Sequence, residues 1–433
     1  MKKMLTKILT GFLLLARVAA GGGPAVEETW TLERCLQFGL DQHPQLKIAR
    51  SSVESEKARL LQTGAAFDPR IDFRASWSHS KLEAARGRSI ADATTDSTSE
   101  AISASKLLYD SGQTRLQKKA AAASLSAANS RFDATLTELA ADIKASFFRA
   151  QQANALLQVR QETLEGYERH LEKVESFVEV GTRAPCDINL GPGDIEVALA
   201  NLSRAIGLDT AIVVASYDET KPPLNIYDDK ERLLHETMNR PDVRASQEQV
   251  RAADYRVSEA KLNRSPSLSA SADYRWSGTA TPLDRQWGMG VSMSWPVLDG
   301  AVTRAQIQSA RSSFESSVAG LENIKLSVGA ELENSLTRLT DALERLQATT
   351  VLVQQASESM HLAEGRYDAG LGSPLEITDA RVEFARARGN HVVAFFDSLI
   401  AQAELDRVLG RLPAECRIQE MDAADRESGE TDK

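Results

Sequence analysis

The side chains best suited to catalysis or metal binding are few in this sequence and widely spaced. Among its 433 residues are six histidines and three cysteines. They are His43, His79, His170, His235, His361, His391, Cys35, Cys186 and Cys416. The pair His235-Glu236 lacks the second histidine of a zinc-protease helix, because Asn239 occupies that position. Gly191-Pro192-Gly193 lacks the third glycine and the preceding strand of a nucleotide-binding loop. We therefore predict no enzymatic activity, no metal site and no cofactor.

Three carboxylates, Asp187, Glu376 and Asp379, follow two places where a helical pattern stops. Acidic residues are favoured near helix starts by the helix dipole, so each has an ordinary explanation as a solvated carboxylate. From the residues alone, we take this ordinary explanation for all three.

One segment alternates strictly between large apolar and small residues. In residues 286–300, QWGMGVSMSWPVLDG, the odd positions carry Trp287, Met289, Val291, Met293 and Trp295. Successive side chains of a strand point to opposite faces, so this pattern predicts a strand with one apolar face and one nearly bare face. The apolar face could lie in a soluble core, or against lipid in a barrel whose small polar face lines water. The two tryptophans lie about 26 Å apart along a strand, close to the height of a lipid band with aromatic girdles.

The sequence contains an internal repeat. The matching positions are Gln42-His43-Pro44 with Asn239-Arg240-Pro241, Leu108-Tyr109-Asp110 with Val297-Leu298-Asp299, Gly181 with Gly370, and Pro185 with Pro374. The offset changes from 197 residues before the strands to 189 after them, so the first copy has eight extra residues. These lie in the polar stretch 81–100, which we predict to be an exposed loop between two strands. The repeats span residues 30–207 and 231–413, with a connector at 208–230 between them and a polar tail at 414–433.

Each repeat contains a long stretch without proline or a turn cluster, at residues 113–180 and 301–369. At 1.5 Å per residue, each would form a helical rod of about 100 Å. Apolar residues recur at intervals of three and four along both rods, which is typical of coiled-coil packing. Each rod ends at a glycine with a proline four residues later, so we predict that it turns back as a helical hairpin. The returning helices end at Gly207 and Gly410.

The N-terminus has the features of a secretory signal. Lys2, Lys3 and Lys7 precede a short apolar run, and small residues follow it at 18–20, so we predict that residues 1–20 are removed on export. Removal takes away these three lysines and Arg17, which makes the net charge of −10 four units more negative. An acidic chain of this kind is a poor partner for nucleic acid.

The alternating strands predict an oligomer. Each chain supplies four strands, and four strands cannot close a barrel in lipid, where an unpaired edge is prohibitively costly. Two chains would provide about eight strands and a filled lumen, whereas three would provide about twelve and leave an aqueous pore. We therefore predict a mostly α protein with a twelve-stranded trimeric membrane barrel, continued by long coiled-coil hairpins. Four tryptophans form its membrane girdles: Trp77, Trp276, Trp287 and Trp295.

The order and spacing of several motifs resemble those of the TolC-type outer membrane efflux proteins. The motifs are TLERCLQFGLDQHPQL near the start, LLYDSG and PVLDG at the strand ends, and RYDAGLGSPLEITDA at the second hairpin tip. The resemblance covers residues 30 to about 413. It implies a homotrimer in the outer membrane of a Gram-negative bacterium, with a periplasmic helical tunnel that stays closed until an inner-membrane pump and a periplasmic adaptor engage it.

Specific residues acquire roles through this resemblance. Matched position by position, Asp379, Glu376 and Tyr367 fall at the closed tip, and the first repeat adds Arg183 and Asp187. The adaptor is expected to dock at the two tip turns, around Gly181-Thr182 and Gly370-Leu371.

The first repeat departs from the family pattern. Gly181 and Gly207 are 26 residues apart, whereas Gly370 and Gly410 are 40 apart, so the first returning helix lacks 14 residues, or about 21 Å. Gly191-Pro192-Gly193 also breaks a helix that is continuous in the family. We expect the first tip to close less well than the second.

Two other functions fit the sequence. An outer membrane conduit for type I protein secretion would differ from an efflux channel only in its inner-membrane partner. A soluble periplasmic coiled-coil adaptor also has long hairpins and sheet segments, but such a protein needs one hairpin rather than two.

Overall fold

Two helices of more than 60 residues dominate the chain, with a four-stranded sheet at one end of them. A computed structural model describes residues 29–82, 93–178, 193–208, 230–279 and 283–411. In chain order the elements are α1 (Leu32–Gln42), α2 (Pro44–Gly64), β1 (Arg70–Leu82), β2 (Ala93–Tyr109), α3 (Gln113–Val178), α4 (Gly193–Ile206), α5 (Lys230–Thr237), α6 (Pro241–Leu262), β3 (Ser267–Gly278), β4 (Asp284–Ser294), α7 (Val302–Asp368) and α8 (Pro374–Val408). The predicted leader, the polar tail and residues 209–229 of the connector lie outside the described residues.

Both predicted rods are present. Helix α3 contains 66 residues and α7 contains 67, so each is about 100 Å long. The buried positions in the middle of α7 are separated by four, three, four and three residues: Val328, Leu332, Ser335, Leu339 and Ala342. This spacing is that of a coiled-coil seam, and α8 packs along it through Leu405 and Val408.

Three other helices, α1, α4 and α8, pack against the middle of α3. Its buried residues Ile143 and Phe147 belong to one apolar cluster. The same cluster contains Cys35 and Leu36 from α1, Leu202 and Ile206 from α4, and Phe395 and Phe396 from α8. Because α4 and α8 both contribute to this core, it joins the short first returning helix to the complete second one.

The four strands form one antiparallel sheet in the order β1-β2-β3-β4. The polar stretch 81–100 is not the loop that we expected, since β1 continues to Leu82 and β2 begins at Ala93. Polar side chains pair across these strand ends, where Ser78 and Ser97 hydroxyls lie 2.7 Å apart and His79 Nδ1 lies 2.7 Å from Asp96 Oδ1. Serine and threonine are compatible with a strand that is exposed to water on both faces. Such a strand has no alternation of apolar and polar residues, so the sequence pattern did not reveal it.

At the end of β2 the large residues Leu107, Leu108 and Tyr109 are consecutive, so large and small residues do not alternate there. The pairing of β2 with β3 shifts between Leu107 and Tyr109, so a bulge leaves Leu108 without a direct partner. A bulge interrupts the alternation of side chains between the two faces. The poor alternation in this part of the sequence therefore marks a bulge rather than the end of a strand.

Two similar turns connect the sheet to the long helices. After β2, the Asp110 carboxylate accepts hydrogen bonds from the Gly112 and Thr114 N–H groups at 3.0 and 2.6 Å. Burial alone would raise the pKa of Asp110, but these hydrogen bonds outweigh it and lower the pKa. After β4, Asp299 accepts from the Thr303 N–H at 2.9 Å. Both aspartates therefore cap the first turn of a rod.

The second turn holds an alanine in a left-handed conformation. Ala301 has φ of 74°, directly after Gly300 with φ of 59°. A side chain in this region costs roughly 1–2 kcal/mol. We therefore expect Ala301→Gly to raise the free energy of unfolding by on the order of 1 kcal/mol, seen as a higher melting midpoint in detergent. Gly300→Ala is the matched opposite change, and a higher midpoint in that variant would contradict the explanation.

The two returning helices end at similar corners. Gly207 has φ of 79° and lies against His43 and Pro44, while Gly410 has φ of 70° and lies against Arg240 and Pro241. At both, a backbone N–H beyond the glycine donates back into the helix, from Leu208 to Ser203 O and from Arg411 to Asp406 O. These are Schellman ends, for which glycine is the favoured residue. The helices that reach the corners differ in length, with 14 residues in α4 and 35 in α8.

Candidate functional site

The strand register brings the apolar residues of all four strands to one side of the sheet. Residues directly opposite each other in an antiparallel pair share a face. One row across the sheet is Phe73, Ile102, Tyr274 and Trp287. The apolar face carries Ile71, Phe73, Ala75, Trp77, Ile102, Ala104, Ala270, Ala272, Tyr274, Trp276, Trp287, Met289, Val291 and Met293. The same face also carries the charged residues Glu100, Lys106 and Arg285, so it is mostly rather than entirely apolar.

This apolar face is uncovered within one chain. Trp77 is 69% exposed, Trp287 70% and Val291 65%, values that do not fit a soluble core. A contiguous exposed apolar face of this kind is found at contacts with lipid or with another protein. The sheet is therefore suited to a membrane.

The predicted girdle tryptophans occupy the two ends of this face. Trp77, Trp276 and Trp287 lie toward the end where β1 joins β2 and β3 joins β4. Trp276 is partly buried against the Tyr274 ring, with ring centroids 4.5 Å apart. Trp295 follows β4 at the other end and donates from Nε1 to the Arg264 carbonyl at 3.1 Å. The arrangement fits aromatic belts at two interfaces, with an apolar band between them.

The opposite face of the sheet is polar. Most of its residues are small, and a few are charged. Ser103 and Gly288 share a row with Asp72 and Asp273, and the row two residues away contains Arg74 and Arg275. The Arg70 guanidinium donates to Asp72 at 3.0 Å. These charges were not among the predicted site residues. The repeated triplets DFR in β1 and DYR in β3 could have indicated them, because both place an acid and a base on the same face.

The second hairpin tip is a compact turn of five residues between α7 and α8. Gly370 has φ of 73°, and its N–H and that of Leu371 donate to Tyr367 O and Arg366 O at 2.9 and 2.8 Å. Ser373 then caps α8 by accepting from the Leu375 N–H at 3.1 Å, with Pro374 in the first turn. The glycine stop and proline restart predicted from the sequence are therefore correct.

The predicted tip residues of this hairpin have different surroundings. The Glu376 carboxylate forms an ion pair with Arg366 of α7 at 3.0 Å. Asp379 is exposed beside a groove between α7 and α8, and no ion pair joins it to any described residue. Tyr367 is partly buried at the end of α7, whereas Leu371 and Leu375 are 77% and 67% exposed. Leu371 and Leu375 therefore give the tip exposed apolar side chains, and Asp379 gives it an exposed carboxylate.

The tip of the first hairpin lies outside the described residues. This applies to Gly181, Thr182, Arg183 and Asp187.

Among the described cysteine and histidine residues, Cys35 is buried in the core and His43 caps a helix. Cys35 is buried, and desolvation raises the pKa of its thiol to about 12, so the thiol stays protonated at neutral pH. His43 caps α2 by accepting from the Gln45 N–H at 3.2 Å. Across the described ranges, no three histidine, cysteine or acidic side chains come together as metal ligands. None of the helices described is both long and apolar enough to cross a membrane.

Comparison with known proteins gives consistent matches over most of the chain. Residues 36–206 and 235–411 match the family described as "Outer membrane efflux protein". The solvent efflux pump outer membrane protein SrpC of Pseudomonas putida is 25% identical over 401 residues, covering 88% of this chain and 85% of SrpC. Nodulation protein T of Rhizobium leguminosarum bv. viciae is 22% identical over 410 residues, covering 87% of this chain and 82% of nodulation protein T. The open state of the Neisseria gonorrhoeae MtrE outer membrane channel has a similar fold, with a TM-score of 0.70 at 18% identity and 88% coverage of each chain.

Proposed function

The chain belongs to the outer membrane efflux protein family and is the outer membrane channel of an efflux system, and from this premise we propose that three copies close one twelve-stranded barrel. It is located in the outer membrane of a Gram-negative bacterium, with its long helices in the periplasm. Family members are the outer membrane components of systems that also contain an adaptor and an inner-membrane pump.

The main support for the trimer is that the sheet is open at both edges. Strands β1 and β4 are its edges, and neither has a second strand partner within the described chain. An unpaired strand edge in lipid is prohibitively costly, so edges of neighbouring copies must pair. Three copies supply twelve strands, enough for a water-filled lumen, whereas two supply eight and a lumen filled by side chains. In the trimer the apolar face contacts lipid and the polar face lines the pore.

Each chain contains two similar repeats, so the proposed trimer has six similar units around its axis. The corners at Gly207 and Gly410 support this, because each packs on the equivalent proline turn of its own half. The capping aspartates at 110 and 299 support it too, since both begin a rod of nearly equal length.

We assign the gate to the periplasmic tip. Three copies of Asp379 would surround the axis and repel anions, with Tyr367 and Glu376 beside them. Arg183 and Asp187 of the first repeat complete this set of gate residues. The adaptor docks on the tip turns, at Gly370 and Leu371 and at Gly181 and Thr182. Protein secretion is the second candidate function. Export of small solutes is favoured over it, because an efflux relative matches over almost the whole chain. Substrate choice lies with the pump, since a wide aqueous tube distinguishes little beyond charge.

The mass of the detergent-extracted protein tests the assembly. We expect native mass spectrometry of protein extracted from outer membranes to give a trimer. A monomer from the soluble periplasm would overturn the barrel and would support the soluble adaptor alternative.

Removing the exposed tip carboxylate tests the gate. In planar bilayers, we expect Asp379→Asn to lower the cation-to-anion permeability ratio by about twofold, because three charges leave the narrowest part of the pore. Glu376→Gln should also lower the ratio, because it leaves the positive charge of Arg366 without its counter-charge. Unchanged selectivity in Asp379→Asn would remove this residue from the gate.

A further inference from the structure

The polar face of the sheet carries equal numbers of positive and negative charges. Three arginines and three aspartates of the four strands lie on this face, and its other residues are uncharged. The six charged residues are Arg70, Asp72, Arg74, Asp273, Arg275 and Asp284. Residues two positions apart on a strand share a face and lie about 7 Å from each other. The charges therefore occupy successive rows across the sheet.

The sign of the charge alternates from row to row. From the end that joins the long helices, the rows contain Arg70, then Asp72 with Asp273, then Arg74 with Arg275, and then Asp284. We name the two middle rows the acid row (Asp72 and Asp273) and the base row (Arg74 and Arg275). The triplets DFR in β1 and DYR in β3 produce both rows, because the strand register aligns the two triplets.

The acid row has small neighbours. Its other two positions are Ser103 and Gly288. A Cβ on Gly288 would be 3.2 Å from Asp273 Oδ1, so the carboxylate lies over the space that a side chain at Gly288 would occupy. Asp72 pairs with Arg70 at 3.0 Å, whereas Asp273 is exposed. Each chain thus has at least one carboxylate in this row that is open to solvent.

The base row is also open to solvent. Arg74 and Arg275 are both exposed, and within the described ranges no ion pair joins either guanidinium to another side chain. Ala101 of β2 lies between them and is too short to reach either guanidinium. Both guanidinium groups are therefore available to a solute.

We propose that the acid row and the base row form a binding zone inside the barrel for solutes that carry both a cationic and an anionic group. This zone depends on the proposed trimer, in which the polar face lines the pore and the zone occurs three times. Strands in a barrel are tilted, so the rows run obliquely around the lumen, but the spacing of about 7 Å along each strand is unchanged.

The spacing of the two rows favours such solutes over simple ions. The Debye length is about 10 Å at 0.1 M salt and exceeds the distance of about 7 Å between the rows, so the fields of the rows overlap. An ion of one sign is attracted by one row and repelled by the other, and its net interaction is small. A solute with both charges places its cation at the acid row and its anion at the base row. Because each contact is exposed to water, the solute is held weakly and can leave the pore.

The test is the current through the full-length protein in planar bilayers. The probe is 6-aminohexanoate, in which a five-carbon chain separates the ammonium group from the carboxylate. Hexylammonium and hexanoate, each with one charge, are the comparison probes in the same background salt. We expect 6-aminohexanoate to halve the current at a concentration about fivefold below that of either comparison probe, because it forms two charge contacts instead of one.

Two double variants each remove one row. Asp72→Asn with Asp273→Asn should lower the cation-to-anion permeability ratio by about twofold, and Arg74→Gln with Arg275→Gln should raise it by about twofold, because each leaves the other row uncompensated. Both variants should lose the preference for 6-aminohexanoate. Since the two shifts have opposite signs, a common assembly defect cannot produce both.

The matched control removes charges from the opposite face of the same sheet. Glu100 and Arg285 share a row with Trp276 on the apolar face, so Glu100→Gln with Arg285→Gln should keep the wild-type permeability ratio and the preference for 6-aminohexanoate.

Equal block of the wild-type channel by all three probes, or an unchanged preference in both row variants, would overturn the binding zone. If the wild-type protein formed no trimer and no channel, the proposed barrel itself would be wrong, so the two failures are distinguishable.

Discussion

Outer membranes from cells that produce the Val291→Arg variant should contain almost no trimer. Val291 lies four residues from Trp287 and four from Trp295, opposite Ala270 in the middle of the apolar face, and is 65% exposed in the single chain. Arginine at the middle of the lipid-facing band costs roughly 2–4 kcal/mol, and a trimer contains three copies. The amount of trimer in outer membrane fractions, measured by native mass spectrometry and unheated gel electrophoresis, checks this.

The neighbouring residue is the matched control. Ser292 lies on the polar face, where its hydroxyl is 2.9 Å from that of Ser269. In the proposed barrel this face lines water, so Ser292→Arg introduces the same side chain without placing it in lipid. We expect normal trimer yield from Ser292→Arg. Equal yields from the two variants would mean that the strand faces are assigned incorrectly.

The Gly372→Ala variant should lose the compact turn at the second hairpin tip. A Cβ on Gly372 would be 2.8 Å from Tyr367 N and 3.1 Å from Arg366 C, which are backbone atoms that cannot move independently of α7. The same residue donates its N–H to Arg366 O at 2.9 Å, so relief of the clash breaks a hydrogen bond that ends the helix. Overpacking of this kind costs roughly 1–3 kcal/mol. We expect trypsin to cleave near Arg366 at least about tenfold faster, because local opening is more frequent.

Gly365→Ala is the control for this steric effect, because it replaces a glycine of the same helix at a position without a close contact. A Cβ at Gly365 meets no atom within 4 Å, and the residue lies inside α7. Alanine is favoured over glycine in a helix by about 1 kcal/mol, so this variant should be cleaved no faster than the wild type. Similar cleavage rates for Gly365→Ala and Gly372→Ala would show that the tip does not depend on the close approach at Gly372. A fall in pump-dependent drug resistance limited to Gly372→Ala would link the turn to adaptor docking.

Parts of the candidate site could be predicted from the sequence because they depend on local patterns. The stop at Gly370 and restart at Pro374 follow from backbone preferences of single residues. The separate environments of Glu376 and Asp379 could not be predicted in this way. Both were assigned to one gate, yet Glu376 pairs with Arg366 across the turn while Asp379 stays exposed. That difference depends on where the side chains of α7 and α8 meet.

The sequence by itself determined the lengths of the two rods, the apolar face of each regular strand and the position of the second tip. Helical and strand periodicities are set by residues a few positions apart, so they are visible along the chain. Only the tertiary structure decided which strand residues share a row, such as Asp72 with Asp273, and which helices the arginines of α8 join. These contacts connect residues far apart in sequence, as Glu162 and Arg388 are, and no local period records the register in which distant elements meet.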